Sequence, residues 1–448
     1  MGTSARLLCA AMLGVLCTAV FGSAGPLTVG VQLTVTTALV MGGTGHPLVG
    51  ESADFVGQYV RDALDLFIAP TGALRGDSID PGGYNVVAVQ TPEQFWPVVG
   101  PAVFDASVAQ GVDNLGSCLQ GQTSCKAAYF GSTDSSTSGY VVFGYSQSAR
   151  IATIVKRNLS ASSAAVAPQV SFILVSNPNR PNGGILERFA GLHIPILGVT
   201  FDGAMPTGSC DSDGANCRFL TADITWQYDG YADFPRRPLN LLADLNALAG
   251  IVYLHPNYTE SVAGAIYQGR TGDTSYYLLP AERLPLLLPL AQLGVPAPIL
   301  DVLDAPLRVI VEWGYDRGVN PGDPAPATLA ASSDPVTKVR NLLAAIPVGL
   351  DDGLQEAGFG RPLGTRSAGT FGVGVAPPPA SSPTPAPTTS SSSPAVRQLS
   401  ARPQGAAGLK PRTPPRSGLR RPSLGYVGGH GQVDRRNIVG HSRSGRGR

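Results

Sequence analysis

The stretch Tyr140-Val-Val-Phe-Gly144-Tyr-Ser146-Gln-Ser148-Ala-Arg150 constrains the fold of this chain more than any other. Its β-branched and aromatic start, Tyr140 to Phe143, reads as a fully buried strand. From about Ala149 onward, Ile151, Ile154, Val155 and Leu159 fall on one face of a helix. Between the two lies Gly144-x-Ser146-x-Ser148, the layout of a sharp strand-to-helix turn that lifts a serine hydroxyl clear of a sheet. Small neighbours two positions away on either side let strand and helix approach closely, and Ser148 stands where a second glycine is usual. The helix N-terminus beneath Ser146 aims backbone N–H groups at the place where an oxyanion forms. The competing account is a tight turn in which a serine caps the helix.

Other segments repeat the alternation of short apolar runs and helical patterns. Thr36–Met41, Tyr84–Val89, Val170–Val175 and Thr221–Tyr228 read as strands, and Ile194–Phe201 as a further extended run. Phe55–Phe67, Val98–Leu119 and Leu239–Tyr253 carry helical spacing. Such alternation predicts an α/β fold of the α/β-hydrolase kind, mainly a parallel sheet with helices on both faces. Function then sits at the carboxyl ends of the strands, where Thr44, Ser146 and Asp229 fall. The loop Gly42-Gly-Thr44-Gly-His46-Pro47 lacks the residues of a phosphate cradle. The better reading is the second half of an oxyanion hole, supplied by the backbone or hydroxyl of Thr44.

A nucleophilic serine needs a base and an acid that orients it, and in this fold the order is Ser, acid, His. The chain has five histidines. His430 and His441 lie in a tail of biased composition, and His46 precedes Ser146 in a Gly/Pro turn, where it reads as a loop residue lining the cleft. His193 precedes the later strands and reads as structural, which leaves His255, after a long helix, as the base. Asp229, at a strand end, is the preferred acid, with Asp233 the runner-up and Asp202 a third candidate; each also fits a loop or capping role.

The ends of the chain differ from its middle. Arg6 precedes an uncharged run from Leu7 to Phe21 and the small residues Gly22-Ser-Ala24, so residues 1–25 read as a signal peptide or a retained N-terminal anchor of an exported protein. A lipoprotein reading of Cys17 is disfavoured by the bulky Leu16 before it. Two cysteine pairs, Cys118 with Cys125 and Cys210 with Cys217, share one spacing and suggest disulfides, each closing a small loop for about 2–3 kcal/mol. No histidine lies near either pair, which argues against zinc, and neither a metal nor a cofactor is expected. The folded domain is expected over 35–325, with a linker at 326–375. From 376 to 448 a Pro/Ser-rich and then basic tail should be disordered. Its dozen or so Lys and Arg beyond Arg397 suggest contact with an anionic envelope or membrane surface rather than nucleic acid, or a solubilising role.

Six motifs in order carry a family resemblance: Met41-Gly-Gly-Thr44, Thr91-Pro-Glu-Gln-Phe-Trp-Pro97, Gly144-Tyr-Ser-Gln-Ser148, Tyr228-Asp-Gly-Tyr-Ala-Asp-Phe-Pro235, Asn240-Leu-Leu-Ala243 with Ala249-Gly-Ile251, and Leu307 to Arg317. From about Leu39 to Asn320 the chain resembles the PE-PPE-domain family of mycobacterial cell-envelope proteins, themselves similar to serine esterases and cutinases. It carries a signal-like segment where the PE or PPE leader would stand. The resemblance implies a hydrolase of lipid-like carboxylic esters, with the N–H of Gln147 serving the oxyanion. It equally implies an acyltransferase, since some members resemble enzymes that move acyl chains between trehalose lipids. A non-catalytic envelope-binding protein is the reading from another class. The Leu/Pro-dense stretch from Tyr276 to Leu300 is expected to form short apolar helices that cap the cleft and receive an acyl chain, or else plain core.

Overall fold

Alternating side chains along each strand divide the interior into two layers. The computed structural model describes residues 36–375 except 76–82, 130–136, 163–168, 215, 259 and 331–333. The expected leader, with Cys9 and Cys17, and the tail beyond 375, with His430 and His441, lie outside the described residues. The strands are β1 (Thr36–Val40), β2 (Asn85–Val89), β3 (Ala127–Tyr129), β4 (Gly139–Tyr145), β5 (Gln169–Val175), β6 (His193–Ile194), β7 (Val199–Thr200), β8 (Thr221–Trp226), β9 (Ile266–Thr271) and β10 (Thr274–Leu279). The helices are α1 (Ala53–Ala63), α2 (Phe104–Leu119), α3 (Gln147–Ala161), α4 (Ile185–Arg188), α5 (Leu241–Tyr253), α6 (Leu288–Gln292), α7 (Ala297–Glu312) and α8 (Pro335–Glu356).

The main sheet has eight strands in the order β3-β2-β1-β4-β5-β8-β10-β9. From β2 to β10 all neighbours are parallel, and β3 and β9 close the two edges antiparallel. Ala38, Val40, Val141, Phe143, Ile173 and Val175 point to one face, where Val56, Tyr59, Val60 and Phe67 of the α1 segment cover them. Leu39, Val142, Phe172 and Leu174 point to the other, beneath Val108 and Leu115 of α2 and Ile151 and Val155 of α3. This is the α/β architecture with helices on both faces. The chain leaves β1 toward β2 on one side, and β4 flanks β1 on the other. The crevice at such a switch point lies outside the carboxyl ends of β1 and β4, the ends that lead to Thr44 and Ser146.

Three segments differ from expectation. Ile194–Phe201 does not enter the sheet. Pro195 lacks an N–H to donate, Gly198 turns at φ 59°, and β6 and β7 fold back as a separate small hairpin. The hairpin β9–β10 stands where no strand is expected: Ile266–Thr271 is mostly polar, and Gly272-Asp273 marks its turn. Residues 326–375, expected as a linker, carry the long helix α8, which packs on α7, and return Phe371 to the interior. Gly349 and Gly353 make the α7–α8 approach possible: a Cβ on either would stand 2.4 Å from Val302. Both cysteine pairs are bonded, Cys118 to Cys125 and Cys210 to Cys217.

Candidate active site

The turn between β4 and α3 holds Ser146 at φ 58° and ψ −115°, a region few non-glycine residues occupy. Its neighbours explain how the turn closes. A Cβ on Gly144 would stand 2.5 Å from the carbonyl oxygen of Ser148. The Ser148 hydroxyl accepts from the Tyr145 N–H at 2.8 Å and donates to the Tyr145 carbonyl at 3.1 Å. A serine thus stitches the turn where a glycine would leave it unsupported. On the β1 side, Gly43 lets its loop lie against Tyr145, whose ring a Cβ there would meet at 2.8 Å.

Two neighbouring strands and one helix deliver the rest. Ser176 follows β5 directly, Asp229 follows β8, and His255 lies just past α5, its N–H bonded to the Gly250 carbonyl at 2.9 Å. The His255 Nε2 lies 2.8 Å from the Ser146 hydroxyl, and its Nδ1 lies 3.0 Å from Asp229 Oδ2. The same carboxylate oxygen accepts from the hydroxyls of Ser176 at 2.6 Å and Tyr258 at 2.7 Å, and Asp229 Oδ1 accepts from the Tyr231 N–H at 3.0 Å. Burial pushes the Asp229 carboxyl up, but the adjacent His255 and these hydrogen bonds outweigh it and hold the acid below the usual range. Burial and the Asp229 charge push the Tyr258 phenol well up, so it stays a donor. A carboxylate on Nδ1 sets the tautomer that leaves Nε2 free to accept a proton. Tyr145 stacks on the imidazole at 5.2 Å, Tyr231 meets it edge-on at 4.5 Å, and the Tyr145 phenol donates to the His255 carbonyl. A serine hydroxyl, an imidazole and a buried carboxylate in this order can pass a proton from oxygen to ring and back.

Gln147, the first residue of α3, has an amide N–H of the kind a helix leaves without an acceptor of its own. Its side chain is fixed by Ser107 Oγ at 2.8 Å, the Gln94 carbonyl at 2.9 Å and the Thr44 hydroxyl at 3.3 Å. Thr44, Ser146 and Gln147 open into a pocket of about 180 Å³. Its walls are mostly apolar and include Phe95, Phe104, Leu186, Leu197 and Phe201. None of its lining comes from 276–300. The short helices expected there exist, but Leu284, Leu287 and Leu300 pack instead on Tyr228, Ala243 and Tyr315. The β6–β7 hairpin and the residue after it supply one wall through Ile194, Leu197, Val199 and Phe201, and Phe95, Phe104, Ile185 and Leu186 supply most of the rest of the apolar lining.

The other candidates stand elsewhere. Asp233 accepts from the Tyr228 N–H at 2.7 Å and pairs with Arg317 at 2.7 Å, so it braces the loop that carries Asp229 rather than facing His255. Asp202 pairs with Arg150 at 3.0 Å and Arg157 at 2.7 Å. His46 stacks on Phe55, and His193 touches Thr200 in the small hairpin. Ser176 and Tyr258 escaped the sequence reading. Ser176 lies just past the end of the strand expected over Val170–Val175, and its φ of 52° is visible only in three dimensions. Among the described residues no cluster of three or more His, Cys, Asp or Glu is placed to hold a metal ion.

The PE-PPE domain matches residues 81–316, a span that holds Ser146, Asp229 and His255 but not Thr44. The chain is 38% identical to esterase PE16 of Mycobacterium tuberculosis, over 76% of this chain and 66% of that protein. It is 31% identical to SL1278 acyltransferase Chp1 of the same organism, over 54% of this chain and 58% of that one. The chain therefore spans less than two-thirds of the length of either relative. A cutinase-like protein from Cryptococcus sp. aligns with 44% of this chain and 79% of its own at 20% identity and a TM-score of 0.24. The fold stands on its strand order rather than on that likeness.

Proposed function

Since the chain belongs to the PE-PPE domain family, we propose that it is a serine carboxylic-ester hydrolase acting on lipid-like esters through an acyl-enzyme on Ser146. The observation that carries this reading is the contact chain from Ser146 Oγ to His255 Nε2 at 2.8 Å and from His255 Nδ1 to Asp229 at 3.0 Å, beside an apolar pocket. Ser146 Oγ attacks the ester carbonyl carbon as His255 Nε2 takes its proton. The negative oxygen rests on the Gln147 N–H and on the Thr44 backbone or hydroxyl. As the intermediate collapses, the alcohol leaves with the proton from His255, and the acyl chain lies in the pocket. Water activated by the same imidazole then attacks the acyl-enzyme and frees the acid. Asp229 stays ionised and steadies the imidazolium throughout.

A second reading, acyl transfer, is supported by the similarity to a protein named as an acyltransferase. It shares every step up to the acyl-enzyme, with a sugar hydroxyl replacing water in the second attack. An acylated sugar is then both donor and acceptor. The two disulfides support an exported setting for either chemistry.

The test is hydrolysis of a p-nitrophenyl acyl ester by wild type and Ser146→Ala. A loss of at least about 10³-fold is expected on removing the nucleophile. Comparable rates in the two proteins contradict the assignment. Repeating the reaction with a trehalose acceptor separates hydrolysis from transfer: acylated acceptor at the expense of free acid supports the second reading.

A further inference from the structure

The helix that leads into His255 is built inside out with respect to size. On α5 the buried positions are Ala243, Asn246, Ala247 and Gly250, while Leu241, Leu245, Leu248 and Val252 are each between 52% and 70% exposed. The inward face is small because it lies against the exit of β8: a Cβ on Gly250 would stand 1.9 Å from the Tyr228 carbonyl oxygen. The outward spacing, steps of four, three and four residues, is one continuous stripe along the helix. Packing requires the small residues and does nothing to explain the large ones.

The inversion recurs on α8. Ala345, Gly349 and Gly353 face inward, and Val336, Val339, Leu343, Ile346 and Leu350 line the outside, each 42% to 73% exposed. Helix α7 packs against both α5 and α8 and itself exposes Ile299 and Leu303. Single exposed leucines need no account, but stripes along α5 and α8, with Ile299 and Leu303 exposed on α7 between them, are grouped apolar surface of the kind that marks an interaction site. No helix among the described residues is long and apolar enough to cross a membrane. These helices can lie on a bilayer but not span it.

The rest of the chain indicates the occupant. The last described residues, Gly374 and Val375, lie beside Asn341 of α8. The sequence that follows holds, from Arg397 to Arg448, twelve Lys or Arg against one acid, Asp434. On α8 itself Arg340 is exposed among the stripe residues, and the exposed acid Glu356 stands at the far end of the helix. Apolar stripes joined to a strongly basic segment match an anionic lipid surface, which offers acyl chains and negative head groups together. We infer that the outer faces of α5, α7 and α8 dock on an anionic lipid surface, with the basic segment after Val375 adding charge attraction. Docking through α5 brings the helix next to His255 to the source of lipid esters. The surface stands apart from the chemistry at Ser146, and its test reads binding, not turnover.

The experiment is flotation of the full chain with vesicles of phosphatidylglycerol and phosphatidylcholine, against vesicles of phosphatidylcholine alone. The comparison is a variant with Leu241→Gln, Leu245→Gln, Leu248→Gln and Val252→Gln. Wild type should float with the anionic vesicles, less with the neutral ones and less at high salt, and the variant should lose binding by about tenfold or more. Far-UV circular dichroism and hydrolysis of a soluble ester, both unchanged, establish that the variant is folded. The inference is overturned if wild type fails to bind, if variant and wild type bind alike, or if lipid charge makes no difference. It is equally overturned if light scattering reveals a dimer that the four substitutions dissolve, since a second copy would then cover the stripe.

Discussion

Asp229 collects an imidazole and two hydroxyls on one carboxylate oxygen and a backbone amide on the other. Its acid is held below the ordinary range. It therefore contributes stability above the unfolded value of about 4, and that contribution is lost as the pH falls through the lower folded value. In the proposed mechanism Asp229→Asn costs on the order of 10³–10⁴ in kcat, because an amide favours the wrong imidazole tautomer. Asp233→Asn should instead leave turnover within about tenfold and lower the melting temperature, since Arg317 loses a buried partner. Ester kinetics and thermal melts on the two variants decide; the reverse order of effects contradicts the assignment. Glu93 offers a second pH test. It is fully buried, and burial pushes its carboxyl up to about 8 against a smaller pull from the Thr91 hydroxyl. The folded state thus keeps a proton that the unfolded chain has released, and stability declines as the pH rises from about 4 through 8. Glu93→Gln should flatten that decline in denaturant titrations between pH 5 and 9, and an unchanged slope would mean Glu93 is ionised in the fold.

At the scale of elements, the apolar pocket beside Ser146 depends in part on a hairpin outside the sheet. Arg150 of α3, itself buried, pairs with Asp105 at 3.1 Å and Asp202 at 3.0 Å and donates to the Thr200 carbonyl at 2.9 Å. The hairpin turn is also pinned to the start of α2, where the Phe104 and Asp105 amides donate to Leu197 and Gly198. Arg150→Met leaves Asp105 without its cation and Asp202 with Arg157 alone, and should cost about 1–3 kcal/mol. By loosening the wall that carries Leu197 and Phe201, it should also flatten the dependence of kcat/KM on acyl length. A series of p-nitrophenyl esters reads this directly, and a profile that keeps its shape would place the selective wall elsewhere. The sequence disguised this element. Ile194 to Phe201 has strand composition, and only the cooperation of Pro195 with the left-handed Gly198 turns it back on itself. Helix α8 is hidden for another reason: it holds prolines and glycines, yet Pro335 stands in its first turn, Pro347 is carried inside it, and the glycines admit α7.

For the molecule as a whole, the parallel sheet was legible because buried strands are written as short continuous apolar runs, as in Val141 to Phe143 and Phe172 to Val175. Chain order, together with the Ser146 turn, points to His255 and Asp229, and their side chains lie 3.0 Å apart with His255 2.8 Å from Ser146. What stayed illegible were contacts that long-range folding alone creates: Ser176 and Tyr258 meet Asp229 from 53 and 29 positions away along the chain. The inverted helices were equally opaque, because exposed and buried leucines look alike until the small inward residues are seen against their partners. The account as a whole depends on an acyl-enzyme at one oxygen. Its most direct measurement is mass spectrometry of the intact protein, and then of its peptides, after reaction with a fluorophosphonate. The account predicts one adduct per chain, on Ser146, lost in Ser146→Ala and strongly slowed in His255→Ala. Absence of an adduct, or one on another residue that survives both substitutions, would contradict it.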